Sequence, residues 1–239
     1  MNYAIIAAGE GSRLAQEGIS LPKPLVRLDG EPMIGRLIRI FARHNAECIT
    51  VITNEFMTQV QDYLRELQHE VPQLRLVVKT TPSSMHSLWE LSRVMPAGKF
   101  CLTTVDTIFR EDDFARYVEA FEADAEHDGL WAVTHWVDDE KPLWVATDDD
   151  DRITAFLDRN DEGRARYVSG GVYAMTDKAF PLLDDCIARG VSRMRNFQRA
   201  LVAAGFSLKA FPIDKIVDVD HAGDIATAQQ FLQENKNTL

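Results

Sequence analysis

Several familiar protein classes are excluded by what this chain has little of. Three cysteines, Cys48, Cys101 and Cys186, lie far apart in 239 residues without any Cys-x-x-Cys pair, which argues against a disulfide framework or a zinc knuckle and fits a reducing cytosol. Positive charge is also scarce, with 26 Lys and Arg against 37 Asp and Glu and a formal net charge of -11. Such a surface repels polyanions over most of its area, so neither nucleic acid nor an anionic membrane is an expected partner, although a local basic pocket is compatible with it. No apolar run approaches the roughly 20 residues of a membrane span, and the chain opens on a strand-like segment where a signal peptide would need a basic stretch and a cleavage site. A cytoplasmic, unprocessed protein is the expectation.

What is present is enough hydrophobic residue, 46%, to bury one large core, and a single domain over 1–239 is expected. Apolar runs and stretches of 3.6-residue period alternate from the start: Tyr-Ala-Ile-Ile-Ala, Met33 to His44, Cys-Ile-Thr-Val-Ile-Thr, Phe56 to Leu67, Leu-Arg-Leu-Val-Val, Leu88 to Met95 and Phe-Cys-Leu-Thr-Thr-Val. This alternation predicts a mainly parallel sheet with helices on both sides. Pro32 fits the first turn of its helix, and Met33, Leu37, Ile38 and Phe41 then share one face. After about residue 127 strand-like segments joined by charged turns predict a small antiparallel insertion, with the acidic run Asp148 to Asp151 as a solvated hairpin turn. A helical run from Met194 to Ala204 and a last helix ending near Gln233 follow. The absence of repeats and long linkers places both textures in one sheet.

The segment Ala7-Ala8-Gly9-Glu10-Gly11-Ser12-Arg13-Leu14 follows the first strand, where glycines permit positive dihedral angles and a close ligand. A dinucleotide fingerprint needs a third glycine where Leu14 stands, and no helical pattern follows directly. A phosphate-binding Gly-Lys-Ser/Thr is missing too. Instead Leu21-Pro22-Lys23-Pro24-Leu25 follows, with two prolines limiting where the Lys23 ammonium can point.

The two segments together resemble the signature of sugar-1-phosphate nucleotidylyltransferases and choline-phosphate cytidylyltransferases. Asp106, at the end of Phe-Cys-Leu-Thr-Thr-Val, and Asp218 and Asp220 ahead of the last helix resemble the acidic motifs of that family. The resemblance implies a Rossmann-like three-layer α/β/α fold with a mixed, mainly parallel sheet, a nucleotide-binding half over 1–126 and an acceptor-binding half over 127–239. It implies a magnesium-dependent transfer of a nucleoside monophosphate from a triphosphate, CTP or UTP by family habit, to a small phosphorylated acceptor. A homo-oligomer is compatible with it.

In that reaction an acceptor phosphate oxygen attacks the α-phosphorus and pyrophosphate leaves, so positioning and charge neutralisation dominate the barrier. By the resemblance, Arg13 would hold the β- and γ-phosphates and Lys23 the α-phosphate, while Ala7, Ala8, Gly9, Gly11 and Ser12 line the nucleotide. Asp106 and Asp218 suit Mg2+, which favours oxygen ligands, and Asp220 is either a third ligand or a partner of one. Each has a structural alternative: Arg13 and Lys23 as surface charges, Asp106 as a turn cap, Asp218 and Asp220 as charges at the N-terminus of the last helix.

The resemblance thins in Thr81 to Leu88, where Ser84 is a candidate base or ribose contact and both Ser83 and Ser84 are candidate helix caps. In the acceptor half Trp144 stands where sugar enzymes carry a glycine, and Asp158 and Arg159 where they carry glutamate and lysine. Gly171, Val172 and Tyr173 keep the family's third segment. Trp136, Trp144 and Tyr173 would either enclose a quaternary ammonium through their ring faces or pack the insertion's core. A sugar phosphate is the favoured acceptor, with a choline-type phosphate and a catalytically silent nucleotide sensor as alternatives. A nicotinamide-dependent oxidoreductase is disfavoured by the missing third glycine.

Overall fold

The run Asn2–Ala7 is buried at every position, as a strand covered on both faces must be, and forms β1. It lies at the centre of a nine-stranded sheet in a computed structural model that describes residues 1–137 and 140–234. Along the chain come α1 (Ser12–Gln16), a 3-10 turn at Lys23–Leu25, the short pair β2 (Arg27–Leu28) and β3 (Glu31–Pro32), α2 (Met33–Arg43), β4 (Cys48–Thr53), α3 (Thr58–Leu67), β5 (Leu74–Val78), α4 (Ser84–Ser92) and β6 (Lys99–Thr104). Strand β1 pairs in parallel with β4 and β6, and β5 continues the parallel sheet beyond β4.

Alternate residues of β1 feed two cores. Tyr3 and Ile5 face α2 and α3, whereas Ala4 and Ile6 face α4, so the sheet forms the middle of three layers. The predicted face of α2 is buried, and Phe41 stacks on Tyr3 at 4.5 Å between ring centroids. Pro32 stands one residue earlier than expected, outside the helix, where it pairs with Arg27.

The second half supplies β7 (Thr107–Ile108), α5 (Glu111–Ala123), β8 (Gly129–Thr134), β9 (Trp144–Thr147), β10 (Ile153–Leu157), β11 (Tyr167–Thr176), α6 (Phe180–Ala188), α7 (Met194–Ala203), β12 (Leu208–Pro212), β13 (Val217–Asp218) and α8 (Ala222–Gln233). Helix α5 joins the layer of α2 and α3, while α6 and α7 join that of α4. Strand β11 runs antiparallel to β6, β8 is antiparallel to β11, and β12 is parallel to β8. The ribbon β9–β10 attaches antiparallel to the start of β11, so the charged, strand-rich texture does share the sheet. Its turn is the acidic run: the Asp148 carboxylate accepts from the amides of Asp150 and Arg152 while the run stays largely in solvent.

A register shift in β11 between Ser169 and Tyr173 bends the strand where Gly171 adopts φ +75, and a Cβ there would lie 2.4 Å from Thr107 Oγ1. The bend leaves room for β7 and β13, which pair Asp218 with Thr107 and bring the C-terminal acidic segment beside Asp106. A third small core of Leu14, Val26, Leu28, Ile108, Val217, Val219 and Phe231 fastens α1 to α8. The three cysteines are buried and free. No helix among the described residues is long and apolar enough to cross a membrane.

Candidate active site

The glycine-rich segment leaves the carboxyl end of β1, where open α/β sheets bind their ligands. Contrary to the sequence expectation, a helix does follow at once: α1 starts at Ser12 with Gly11 as its N-cap in the left-handed region, φ 62. Five residues are too few for a helical period to register in the sequence. Gly11 also admits a close approach, since a Cβ there would stand 2.8 Å from Lys23 Cβ. The proline-flanked turn therefore packs directly on the loop and aims the Lys23 side chain, only 10% exposed, inward.

There Lys23 Nζ donates to Asp106 Oδ2 at 2.5 Å and to Asp220 Oδ1 at 2.6 Å, and Arg13 Nη1 reaches Asp220 Oδ2 at 2.7 Å. Residues 13, 23, 106 and 220, far apart in sequence, thus form one charged cluster. Asp106 sits in the turn after β6, and its carbonyl accepts the Val219 amide at 3.1 Å. The N-terminus of α8 is capped by other groups: Asp224 accepts from the amides of Asp220 and His221 at 2.9 and 2.6 Å, and Glu17, just after α1, accepts from the Ala222 amide at 2.6 Å. Asp220 is therefore left to face the cations. Asp218 lines the adjoining cavity with Asp106 and Asp220.

The electrostatics follow from this geometry. Burial pushes the Lys23 ammonium down, but Asp106 and Asp220 outweigh it and its pKa is raised. Burial pushes Asp220 up, but Lys23, then Arg13 and His221, outweigh it and its pKa is lowered. Both shifts favour the charged pair.

A cleft of about 620 Å³ opens in front of the cluster. Ala8, Gly9, Gly11, Ser12, Arg13 and Lys23 line one wall, while Ala7 is buried within the end of β1. Thr81, Ser83 and Ser84 line the opposite wall. Ser83 occupies the N-cap of α4 without making a capping bond. Its hydroxyl instead contacts His86 Nδ1 at 2.9 Å and accepts the Arg193 amide at 3.1 Å. Asn54, not identified from sequence, donates to the Ala8 carbonyl at 3.1 Å and fixes the loop. Its only signal is an amide placed straight after a wholly buried strand.

A second cavity of about 260 Å³ shares Ile6, Ser84, Thr104, Asp106 and Asp220 with the first. Of the acceptor candidates, Gly171 and Tyr173 line it. Asp158 does not; it binds Arg195 at 2.6 Å and Arg199 at 2.7 Å, and Arg195 lines the cavity in its place. Trp144 is half-buried in β9 opposite Leu157 and Val168 and lines neither cavity. Arg159 lies 81% exposed against Asp161, in a separate depression of the β10–β11 connection. Trp136 borders a separate 40 Å³ depression, and the Lys215 ammonium lies over its ring at 4.3 Å. The three rings do not enclose a common space: Tyr173 packs on Trp131 at 5.6 Å in the core. Arg193, Arg195, Gln198 and Ser169, with the apolar Leu143 and Met194, complete the second cavity; none was identified from sequence as a site residue.

No group of three or more metal-binding side chains is already gathered among the described residues. Asp106 and Asp220 nevertheless converge on a cation, the Lys23 ammonium, and offer the hard oxygen donors that magnesium takes.

The profile described as MobA-like NTP transferase domain matches residues 3–174. The Bifunctional IPC transferase and DIPP synthase of Thermococcus kodakarensis is 28% identical over 130 residues, 53% of this chain and 28% of that protein. The Bifunctional protein GlmU of Neisseria meningitidis is 37% identical over 65 residues, 27% of this chain and 14% of that protein. These matches therefore span well under half the length of either relative. Two solved structures share the fold. The inositol-1-phosphate CTP transferase from T. maritima superposes with a TM-score of 0.79 at 19% identity over 97% of both chains. A putative glucose-1-phosphate thymidylyltransferase from Bacillus anthracis superposes with a TM-score of 0.83 at 21% identity, over 98% of this chain and 96% of that one.

Proposed function

This chain belongs to the MobA-like NTP transferase domain family, and on that premise we propose that it transfers a nucleoside monophosphate from a nucleoside triphosphate to a sugar 1-phosphate, releasing pyrophosphate. The observation that carries the reading is the convergence of Arg13 and Lys23 with Asp106 and Asp220 at the junction of two contiguous cavities. The larger cavity takes the nucleotide and the smaller one the acceptor. CTP or UTP is the expected donor.

Asp106 and Asp220 would hold Mg2+, with Asp218 beside them. When bound, the ion supplies charge neutralisation to phosphate oxygens. The remaining work falls to the chain itself. Small residues from Ala8 to Ser12 let the triphosphate approach the backbone, whose amides supply fixed partial positive charge. Arg13, half in solvent, holds the β- and γ-phosphates and follows the pyrophosphate as it leaves. Lys23, nearly enclosed, lines the larger cavity against the two carboxylates that both cavities share, and it counters the charge that grows on the α-phosphate as an acceptor oxygen attacks. The cost of desolvating its ammonium is offset in the resting protein by the two carboxylates.

A choline-type acceptor is less well supported, because the aromatic rings that would enclose its ammonium are dispersed. The test is incubation of the purified protein with each common nucleoside triphosphate and a panel of sugar 1-phosphates and phosphocholine, with and without magnesium. Magnesium-dependent pyrophosphate release with a sugar phosphate is expected. Silence with every pair would overturn the reading, and tight nucleotide binding without product would replace it with a sensor.

A further inference from the structure

Helix α7 buries Met194, Phe197 and Leu201, the stripe expected of a helix facing a core, and Gln198 lies in the same stripe at 1% exposure. Neither end of its amide makes a well-formed hydrogen bond among the described residues, although the Tyr173 phenol lies near it, and native proteins rarely leave a buried amide so poorly paired. The Gln198 side chain lines the 260 Å³ cavity, and so does Ser169, whose hydroxyl is likewise buried and without a partner. Burial raises the pKa of the neighbouring Tyr173 phenol, and Ser169 and Gln198 lie close enough to work against that rise. Arg195 enters the cavity one turn before Gln198, held by Asp158 and by the Lys141 carbonyl.

We propose that Gln198, with Ser169 beside it, selects the acceptor by exchanging hydrogen bonds with adjacent hydroxyl groups of a polyhydroxylated phosphate ester. An amide presents a donor and an acceptor side by side, and hydroxyls can meet both. A trimethylammonium head can meet neither and would leave the buried amide and hydroxyl unpaired. A site built to bond hydroxyls rejects a ligand that lacks them far more strongly than an apolar pocket rejects one that has them. In this role Gln198 contacts the acceptor's hydroxyls and acts on specificity. The proposal rests on the nucleotidyl-transfer reading for the assignment of this cavity to the acceptor.

The experiment compares wild type with Gln198→Leu and, as a second variant should the first not fold, Ser169→Ala. Glucose 1-phosphate, myo-inositol 1-phosphate and phosphocholine are the probes. Without ligand, Gln198→Leu should melt at the wild-type temperature or above it, because an orphaned amide gives way to an apolar side chain. With triphosphate and magnesium, KM for the preferred sugar or inositol phosphate should rise by about tenfold or more, with kcat and the triphosphate KM within about twofold. A fall in Tm with an unchanged acceptor KM would make the amide structural and overturn the proposal while the transfer reading stands. A wild-type preference for phosphocholine would do the same. Calorimetric titration of glucose 1-phosphate and myo-inositol 1-phosphate without triphosphate separates the two ideas. If nothing turns over but wild type binds one of them and Gln198→Leu does not, the transfer reading fails and the selection role survives; if wild type binds neither and turns over neither, both fail.

Discussion

Replacing Lys23 with methionine keeps the apolar stem and deletes the charge, which separates what the ammonium does for folding from what it does for turnover. Its side chain is 10% exposed, but its partners Asp106 and Asp220 are 22% and 38% exposed. Solvent therefore screens much of the pairing, and the structural loss should be only about 1 kcal/mol. A domain of this size would then melt about 2–4 °C lower and remain folded at 25 °C. The loss in turnover is set by a different quantity. A preorganised donor aimed at charge that develops in the transition state is worth about 2.7–4 kcal/mol, on the order of 10² to 10³ in kcat. Pyrophosphate release at saturating substrates, read beside a thermal melt, resolves the two. A third readout sharpens the comparison: the ammonium and a divalent cation compete for the same two carboxylates, so apparent magnesium affinity should rise in the variant while kcat falls. General unfolding cannot produce that combination. A kcat within about fivefold of wild type at a matching Tm would show Lys23 to be a structural ion pair and refute the reasoning.

Two further outcomes follow from particular distances and shifts. Gly171→Ala places a methyl 2.4 Å from Thr107 Oγ1 in a backbone at φ +75, and chemical denaturation should show a loss of about 1–3 kcal/mol; a change under about 0.5 kcal/mol would mean that β11 and β7 move apart freely. The Asp220 pKa is lowered from 3.8 and the Lys23 pKa is raised from 10.5. The Asp220 contribution is present above pH 3.8 and lost as pH falls through its depressed folded value, whereas the Lys23 contribution is present below pH 10.5 and lost as pH rises through its elevated one. The stability difference between wild type and Lys23→Met should therefore be flat from about pH 5 to 9 and shrink at both ends; urea titrations that show it vanishing near neutrality would contradict the pairing.

The order of the main strands and helices in the first half was legible because β1, β4 and β6 are buried along nearly their whole length and α2 has a clean buried face. The five-residue α1 was not, since its start depends on the left-handed Gly11 and no pattern can establish itself in so few residues. The sequence placed Asp106 and Asp218 ahead of Asp220 for the metal, whereas Asp106 and Asp220 are the two that meet Lys23. That Asp220 turns to the cations depends on Asp224 and Glu17 occupying the start of α8, a tertiary fact. In the acceptor half, reading by position favoured Trp144 and Arg159, but the β9–β10 ribbon and the loop after it carry both away from the cavity. Gly171 and Tyr173 do line it, and the polar residues that join them, Arg195 and Gln198, come from α7. A visible signal was present there: a glutamine in register with Met194, Phe197 and Leu201 is a polar side chain on a core-facing stripe.

The central claim is that distant carboxylates and the signature cations act on one metal-bound triphosphate. It is tested most directly by following α-³²P from the triphosphate into the acceptor with magnesium, in wild type and in an Asp106→Asn, Asp220→Asn double variant that keeps the wild-type circular dichroism spectrum. The account predicts label in the sugar phosphate product of wild type and a fall of about 10² or more in the variant. Undiminished transfer by the variant would contradict it.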